Sequence, residues 1–365
     1  MKTHAIERAD DERINWIASI PFFLVHVACL AALITGVDAR ALVMCAVLYV
    51  ARVFFITAGY HRYFAHRSYK LGRGMQFVMA FGGSTAVQKS ALWWASHHRN
   101  HHRHSDTDLD VHSPQKGFWW SHAGWILCNK TKGYDPGPIR DFDKFPELRF
   151  LHRHDWIGPW ALGVACFLIG GWSGLVVGFV WSTVLCWHAT FTVNSLAHVF
   201  GRRRYATGDT SRNSAVIALI TLGEGWHNNH HHHQASARQG FFWWEYDVTY
   251  YVLKALSWVG LVHDLKVPSP GILAGARVRD GAFDMGMFKA HWAKASAALA
   301  ATHLPGAAVP ASSDDDERVS RRDALEELIR DRTTSLQDYV HHSLRSAEEL
   351  ASLSRRLQRA ANTTE

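Results

Sequence analysis

The sequence predicts an all-α membrane protein with four transmembrane helices and a helical cap on the cytoplasmic side. Hydrophobic residues make up 48% of the 365-residue chain. Many of them lie in apolar segments of roughly 20 residues, the length of a helix that spans a bilayer. Lys and Arg are concentrated in the long polar segments between them. Histidine is unusually frequent, with 25 residues, and much of it is clustered at helical spacing.

The apolar segments form two predicted helical hairpins. The first pair is separated by the short turn Val37–Arg40, and the second pair by Gly170–Gly174, whose glycines allow a tight reversal. No cleavage-like pattern follows the first segment, which is interpreted as a retained span and not as a signal peptide. The four predicted spans cover residues 16–36, 41–60, 156–172 and 175–199.

The distribution of basic residues predicts the orientation of these spans. The N-terminus, the region His61–Asp155 and the chain after Phe200 are long and rich in Lys and Arg. The positive-inside rule places them, and both termini, in the cytoplasm. The net charge of +7 then matches a surface facing anionic membrane lipid, and no nucleic-acid partner is expected. Five cysteines without a CxxC pair predict no disulfide framework and no cysteine metal site.

Four regions are predicted along the chain. Residues 1–15 form the cytoplasmic N-terminus, and residues 16–267 form the membrane domain with its cap. Residues 268–316 are predicted to be a linker, because their second half is rich in Ala, Pro, Ser and Asp. Residues 317–365 are predicted to form an amphipathic helical C-terminal tail, because Leu, Ile and Val recur at rough helical spacing.

Four clusters of candidate metal ligands lie at span ends or in the predicted cytoplasmic segments. Residues three and four apart share one helix face, so that each His-x-x-His-His motif forms a chelating arc. The spacing of five between His61 and His66 separates their side chains by about 140° on an ideal α-helix, and it requires a helix end or two different metals. The candidate ligands are His61, His66, His98, His101, His102, Asn194, His198, His227, His230 and His231.

The clusters predict a single centre with two metal ions. All four meet at the cytoplasmic membrane surface in the predicted topology, and together they exceed the three protein ligands of a catalytic zinc site. Imidazole suits Fe, Cu, Ni and Zn, so the ligand type alone does not name the metal. A buried hydrocarbon substrate would require an oxidant, which iron with dioxygen supplies and zinc does not. We therefore expect two iron ions, and we predict no catalytic side chain beyond the metal centre.

These motifs resemble those of the membrane fatty-acid desaturases, in particular the acyl-CoA Δ9 (stearoyl-CoA-type) branch and its bacterial members. The resemblance covers about residues 15–265. It rests on Gly-Tyr-His61-Arg-Tyr-Phe-Ala-His66, on the stretch Asp106–His112 and on Gly223-Glu-Gly-Trp-His227-Asn-Asn-His230-His231. The block Gln239–Asp247 is also similar to that of bacterial members.

The resemblance implies a mushroom-shaped four-helix membrane domain whose cytoplasmic cap holds a histidine-ligated di-iron centre. The nine histidines named above would be the ligands, and Asn194 would reach its iron through a water. The implied reaction uses dioxygen, two electrons and a saturated fatty acyl chain, and it gives a cis double bond and two waters. No His-Pro-Gly-Gly haem motif occurs, so that an external electron donor such as a ferredoxin with its reductase is expected. Arg202–Arg204 is a candidate docking patch for this donor.

Four residues are candidates for substrate contacts: Trp94, Lys89, Lys130 and Tyr49. Trp94 matches the acyl-CoA members, but the Asn, Arg and Asp that hold CoA in animal members are replaced here. Lys89 and Lys130 could meet phosphates, and the carrier is left open between CoA, a lipid and acyl-carrier protein. Tyr49, in the second predicted span, is expected to form the floor of the acyl tunnel together with Cys45.

Two alternatives use the same histidines. A di-iron hydroxylase of alkanes or lipids shares the ligand chemistry, but such enzymes usually carry a Glu inside the first cluster, which here reads His-Arg-Tyr-Phe-Ala-His. A histidine-rich metal transporter would place its ligands near mid-membrane on broken helices, which the spacing here does not predict.

Overall fold

The structure is a computed structural model that describes residues 9–275 and 277–278. The regular elements of this part are mainly α-helices, as the sequence predicts, together with 3-10 and π segments and two short strands, and they are joined by turns and irregular chain. The first eight residues, most of the predicted linker and the whole predicted C-terminal tail lie outside the described residues.

The α-helices of the described residues are numbered in chain order. They are α1 Trp16–Ala28, α2 Ala32–Thr35, α3 Ala39–Phe54, α4 Arg73–Ser84, α5 Ala91–His104, α6 Phe118–His122, α7 Arg140–Asp143, α8 Pro146–Arg153, α9 Ile157–Ser173, α10 Ser182–Asn194, α11 Ala215–Ile220, α12 His227–His232, α13 Val248–Trp258 and α14 Pro270–Ala274. Two π segments follow α3 and α9 directly, at Phe55–Ala65 and Gly174–Trp181. The strands β1 (Lys70–Leu71) and β2 (Val262–His263) pair antiparallel, with Lys70 opposite His263.

Short polar side chains cap the N-termini of several helices that position the site. The Asn15 side chain accepts a hydrogen bond from the Ala18 amide at 2.9 Å, and Asp38 accepts one from Ala41 at 2.8 Å, so that α1 and α3 start at these residues. Ser90 does the same for α5, and Asp247 for α13. Such caps satisfy amide donors that the first helical turn leaves free.

Three helices are long and apolar enough to cross a membrane: Trp16–Thr35, Ala39–Ala65 and Ile157–His198. The last of these has 42 residues and would be about 63 Å long if straight. It is not straight, because Gly171 has φ 60° and ψ −151°, which breaks the helix. A Cβ atom built on Gly174 would lie 2.5 Å from the Cys166 carbonyl oxygen, although residues eight apart are separated by about 12 Å along a helix. The chain therefore doubles back at the predicted reversal.

Arg52 joins α3 to the second arm of this hairpin. Its side chain is buried and donates hydrogen bonds to the Thr183 hydroxyl at 2.6 Å, to the Ser182 hydroxyl and to the Phe179 carbonyl at 3.3 Å. A buried guanidinium requires such partners, because it gives up its hydration on burial. The charge inside this apolar helix is therefore a structural contact between helices.

The π segment Phe55–Ala65 explains the spacing of the first histidine cluster. The His66 amide donates to the His61 carbonyl at 3.1 Å, a bond from residue i+5 to residue i. This wider turn carries residues five apart to the same side, whereas an α-helix would separate them by about 140°. The His61 and His66 rings consequently lie 4.8 Å apart.

A buried ion cluster fixes the same segment against the chain around α12 and α13. The Arg62 guanidinium donates to Glu224 and to Asp247, each at 2.9 Å in their closest contacts, and to the Ala237 carbonyl at 2.6 Å. All three charged side chains are buried. The cluster places the carboxylate of Glu224 directly beside His61.

Three histidines outside the clusters form a hydrogen-bonded chain across three helices. The Nε2 atoms of His26 in α1 and His188 in α10 lie 3.1 Å apart, and His188 Nδ1 lies 3.0 Å from Nε2 of His122 in α6. His122 Nδ1 in turn lies 2.9 Å from the Ser195 hydroxyl. The chain cross-links α1, which is otherwise little buried, to α6 and α10.

Candidate metal centre

The nine predicted histidine ligands fall into two groups. Group A comprises His61, His66, His98, His102 and His230, and group B comprises His101, His198, His227 and His231. Within each group the candidate ligand atoms all lie within 4.8 Å of one another. The sequence predicted the membership of the site but not this division. It arises because α5 and α12 each contribute histidines to both groups.

The ring nitrogens of group A converge. His98 Nε2 lies 2.9 Å from the Nε2 atoms of both His66 and His102. His230 Nε2 lies 2.9 Å from His102 Nε2 and 3.1 Å from His61 Nε2. Two nitrogen atoms that bind one metal ion at right angles, each through a bond of about 2.1 Å, would lie about 3.0 Å apart. The spacing of these nitrogens therefore fits ligands that share one metal ion.

Group B fits a second ion in the same way. The Nε2 atoms of His198 and His227 lie 3.1 Å apart. His231 Nε2 is buried and has no hydrogen-bond partner among the described residues. A buried imidazole nitrogen without a partner is costly unless a metal or a water occupies its lone pair. Both groups could therefore hold metal ions.

Carboxylates hold the opposite nitrogens of the ligand rings. His61 Nδ1 lies 2.5 Å from Glu224, and His231 Nδ1 lies 2.7 Å from Asp209. His101 Nδ1 lies 2.9 Å from Asp110, and His198 Nδ1 lies 3.3 Å from Asp106. An Nδ1–H bond to a carboxylate fixes the tautomer, so that Nε2 remains free to bind a metal.

The sequence reasoning did not assign roles to these four carboxylates. Asp106 and Asp110 follow the second cluster closely, and Glu224 precedes the last cluster by three residues, so proximity in sequence could have identified three of them. Asp209 lies 22 residues before His231, and only the fold brings it to the site.

Replacing Asp209 with Asn should weaken metal binding. The amide would keep the size of the side chain but lose the charge that fixes the His231 ring, and changes of this type cost about 10–100-fold in metal affinity or activity. Metal retention after dialysis of the Fe²⁺-loaded protein measures the effect. Asp108→Asn is the matched control, because Asp108 is exposed and close in sequence to the second cluster. Retention equal to that of Asp108→Asn would contradict the assigned role.

Charge and burial set the protonation states of the site. Burial alone would raise the pKa of Asp106, but the hydrogen bond and charge of His198 outweigh it and lower this pKa to about 2. Burial and the neighbouring imidazoles hold the pKa values of His98, His102 and His230 well below the usual value for histidine. These histidines are therefore neutral near pH 7 and available as ligands.

The metal-free protein should lose stability in two steps as the pH falls. Burial lowers the pKa of His112 to about 3, so that protons favour the unfolded chain from about pH 6.5 downwards. The depressed pKa of Asp106 stabilises the fold above about pH 4 by about 2 kcal/mol, and this contribution is lost towards pH 2. Thermal unfolding of the metal-stripped protein between pH 8 and pH 2 measures both. Asp106→Asn should reduce the lower step, to which Asp110 and Asp209 also contribute because neighbouring histidines lower their pKa values. A constant unfolding midpoint over this range would contradict the assignment.

A third candidate group shares His101 and adds His112, which the sequence reasoning treated as a non-ligand. His101, Asp110 and His112 bring candidate ligand atoms within 4.8 Å of one another. The His101 and His112 rings lie 4.2 Å apart, and both face Asp110, from which His112 Nδ1 is 3.8 Å distant. His232 lies outside all three groups, because its ring stacks on Tyr205 at 3.9 Å and its Nε2 contacts the Ile272 carbonyl.

A largely apolar cavity of about 540 Å³ adjoins group A. Phe22, Val25, Trp187 and Phe191 are among its apolar walls, and His98 of group A also lines it. A volume between roughly 300 and 1,000 Å³ with few polar groups is typical of small-molecule sites. A smaller adjoining cavity is lined by His61, His98, Asn194 and Glu224. Asn194 therefore lies where the cavity meets the histidines.

The predicted substrate residues are only partly brought together. Trp94 and Lys89 line the main cavity, and the Trp94 ring stacks on His98 with centroids 4.7 Å apart. Lys130 is not on the cavity wall and pairs with Glu12 at 2.7 Å. Tyr49 and Cys45 line neither cavity, and the Tyr49 hydroxyl donates to the Ile220 carbonyl at 2.5 Å.

Comparisons with known proteins agree with this site. The family model for fatty acid desaturases matches residues 39–261. The sn-1 stearoyl-lipid 9-desaturase of Anabaena variabilis is 38% identical over 258 residues, which cover 70% of this chain and 95% of that protein. The enzyme of the same name from Synechocystis is 38% identical over 71% of this chain and 82% of its own length. An acyl-CoA 5-desaturase of Anemone leveillei is 40% identical over 67% of this chain and 77% of that protein.

The family match covers more than half of the chain and includes all nine histidines and Asn194. The related proteins are desaturases of fatty acyl chains on different carriers. The apolar helices, the two histidine groups and the adjoining apolar cavity are what such a reaction requires. The chain belongs to the fatty acid desaturase family.

Proposed function

We propose that the chain uses dioxygen and two external electrons to introduce a cis double bond at the Δ9 position of a stearoyl chain. The observation that carries this proposal is the largely apolar cavity that His98 helps to line, beside two groups of converging imidazoles. The Δ9 position is supported by the two related 9-desaturases, because the similarity to this chain covers 95% and 82% of their lengths. The reaction converts –CH2–CH2– with O2, two electrons and two protons into –CH=CH– and two waters.

The histidines would hold two iron ions, one in each group, and Asn194 would complete the site on the cavity side. Bound iron supplies the dioxygen-dependent oxidising chemistry that removes two hydrogens from an unactivated chain. The protein orients the chain by its apolar walls, so that one pair of carbons faces the histidines and all other carbons are held away. The same walls exclude water from the reacting carbons.

We propose a membrane glycerolipid as the carrier of the stearoyl chain. CoA carries several phosphates, but Lys89 on the cavity wall and two lysines outside the wall are paired within the protein. Lys116 and Lys130 both contact Glu12, and Lys89 lies 3.7 Å from Asp155. The two stearoyl-lipid desaturases support the same choice.

Stearoyl-CoA, the carrier implied by the acyl-CoA branch that the sequence resembles, is the second candidate. Lys89 and the exposed Lys132 line the main cavity and could receive phosphate groups. The Anemone leveillei relative is named for an acyl-CoA substrate.

We further propose that the hairpin reversal at Gly171 divides the third apolar helix into two spans, giving four in total. The basic segments that carry the histidines would then lie on the cytoplasmic side of a bacterial inner membrane. Reporter fusions at Val37 and Gly171 should locate both turns on the opposite side from fusions at Arg103. Cytoplasmic signals at either turn would contradict this topology.

The decisive test is expression in a host without a Δ9 desaturase, followed by fatty-acid profiling. A product two hydrogens lighter, with its double bond at carbon 9, supports the proposal. A product heavier by one oxygen would indicate the hydroxylase alternative. Oxygen-independent metal uptake into vesicles would indicate the transporter. In membranes, labelled stearoyl-phospholipid and labelled stearoyl-CoA then distinguish the carriers, and desaturation of the CoA ester alone would overturn the glycerolipid assignment.

Tyr49→Ala tests the tunnel floor predicted from the sequence. If Tyr49 limits the depth of the acyl site, removing its ring should shift the product profile towards chains about two carbons longer, since each buried methylene stabilises binding by about 0.8 kcal/mol. Gas chromatography of the products measures the profile. Cys29→Ala serves as a control in a neighbouring apolar helix. An unchanged product profile would show that Tyr49 does not set the chain length, and its role would then be the structural contact with Ile220.

A further inference from the structure

The proposed reaction consumes two electrons that must enter from outside, so that an electron carrier has to approach the edge of a ligand imidazole. Of the nine histidines in groups A and B, seven are buried and two, His66 and His102, are partly exposed. Both belong to group A. Electron entry is therefore most direct at these two rings.

His66 and His102 open into one shallow depression of about 370 Å³. Its other walls are formed by Ala65, Arg99, Arg103, Gln234 and Ala235. The apolar cavity for the acyl chain contacts different members of the same group, His98 and His61. A protein bound over the depression would thus approach group A through ligands that the acyl chain does not cover.

The surface around the depression is basic. Arg103 is exposed, and it makes no ion pair or hydrogen bond with the described residues. The side chain of Arg67 is 58% exposed, and the Nζ of the exposed Lys266 donates to the Arg67 carbonyl at 2.8 Å. Two acids lie near these cations: Asp141 pairs with both Arg67 and Arg99, and Asp264, which feels the charge of Lys266, pairs with Lys70. Cations therefore outnumber acids here.

The candidate docking patch predicted from the sequence, Arg202–Arg204, has fewer side chains free to contact an electron donor. Arg204 pairs with the buried Glu245, and Arg203 donates to the Thr207 carbonyl at 2.7 Å. Arg202 alone of the three is exposed. None of the three lines the depression with His66 and His102.

We propose that the surface formed by Arg67, Arg103 and Lys266 around the partly exposed His66 and His102 docks a small acidic one-electron carrier protein. This inference rests on the proposed function. Two reduced carriers, O2, two protons and –CH2–CH2– give two oxidised carriers, –CH=CH– and two waters. Each carrier is oxidised by one electron. Complementary charge would orient the carrier over the depression and accelerate its encounter with the enzyme.

The binding test uses the full-length, metal-loaded enzyme and a plant-type [2Fe–2S] ferredoxin as the acidic probe. Arg103→Glu and Lys266→Glu should each raise the Kd for ferredoxin by about tenfold, and Arg103→Gln by less, with the wild-type Kd rising with salt. Arg202→Glu, an exposed arginine reversed in the same way, should leave the Kd within about twofold of the wild type. No saturable binding to the wild type, an unchanged Kd for Arg103→Glu, or an equal loss in Arg202→Glu would overturn the proposal.

A kinetic arm separates this inference from the proposed function. With ferredoxin as donor, Arg103→Glu should raise the KM for ferredoxin about tenfold and change kcat little. With dithionite and a small mediator, the wild type and Arg103→Glu should form the same amount of product in a single turnover. A defect of Arg103→Glu with dithionite would overturn the docking role. Absence of any double bond in the wild type would instead refute the proposed function, while the Kd measurements still decide the docking surface.

Discussion

His98→Ala is expected to reduce desaturation by at least about 100-fold, since loss of a mere partner of a ligand already costs about 10–100-fold. His98 lies at the centre of group A, with its Nε2 at 2.9 Å from those of His66 and His102. It also lines the apolar cavity. Its removal would affect both the metal and the position of the reacting carbons. Product formation per enzyme and bound iron per chain, measured together, test this.

The control for His98→Ala lies in the same helix. His104 belongs to none of the histidine groups, and His104→Ala should retain activity within about threefold, as expected of substitutions away from the core and site. If His98→Ala together with His230→Ala left both activity and iron content unchanged, the histidine groups would not be the metal centre.

Arg62→Met is expected to destabilise the protein by about 3–5 kcal/mol, because it would leave the carboxylates of Glu224 and Asp247 buried without their cation. A comparable hydrophobic side chain cannot donate the five hydrogen bonds that a guanidinium offers. Because Glu224 also contacts His61, iron content should fall as well. Unfolding in detergent with increasing denaturant measures the change in free energy.

Arg149→Met is the matched control for Arg62→Met. The Arg149 side chain is 50% exposed and pairs with Asp143 at 3.3 Å, so its loss should cost at most about 1 kcal/mol. Equal unfolding free energies for the two variants would show that the buried cluster contributes little to stability.

The candidate metal ligands could be grouped from the sequence because helical spacing is local. Spacings of three and four residues place imidazoles on one helix face whatever the rest of the fold does. The structure accordingly brings all nine predicted histidines together. The spacing of five in the first cluster could not be resolved from sequence, since only the π-type bond between His66 and His61 places these two rings side by side.

Other parts of the site depend on contacts between distant segments. Asp209 reaches His231, and Glu224 reaches both His61 and Arg62, through packing that no spacing rule anticipates. Lys130 was expected to meet substrate phosphates, but in the structure it pairs with Glu12, 118 residues away in sequence. Long side chains of this kind find their partners only when the fold brings opposite charges together.

The sequence by itself predicted the helical class, the long apolar helices and the set of histidines that could bind metal, because bilayer length and helical periodicity act on neighbouring residues. The tertiary structure alone decided how these histidines divide into two groups, which carboxylates contact them and which two of them are partly exposed. Those features depend on burial and on distances between segments far apart in the chain, and both are set only when the helices pack.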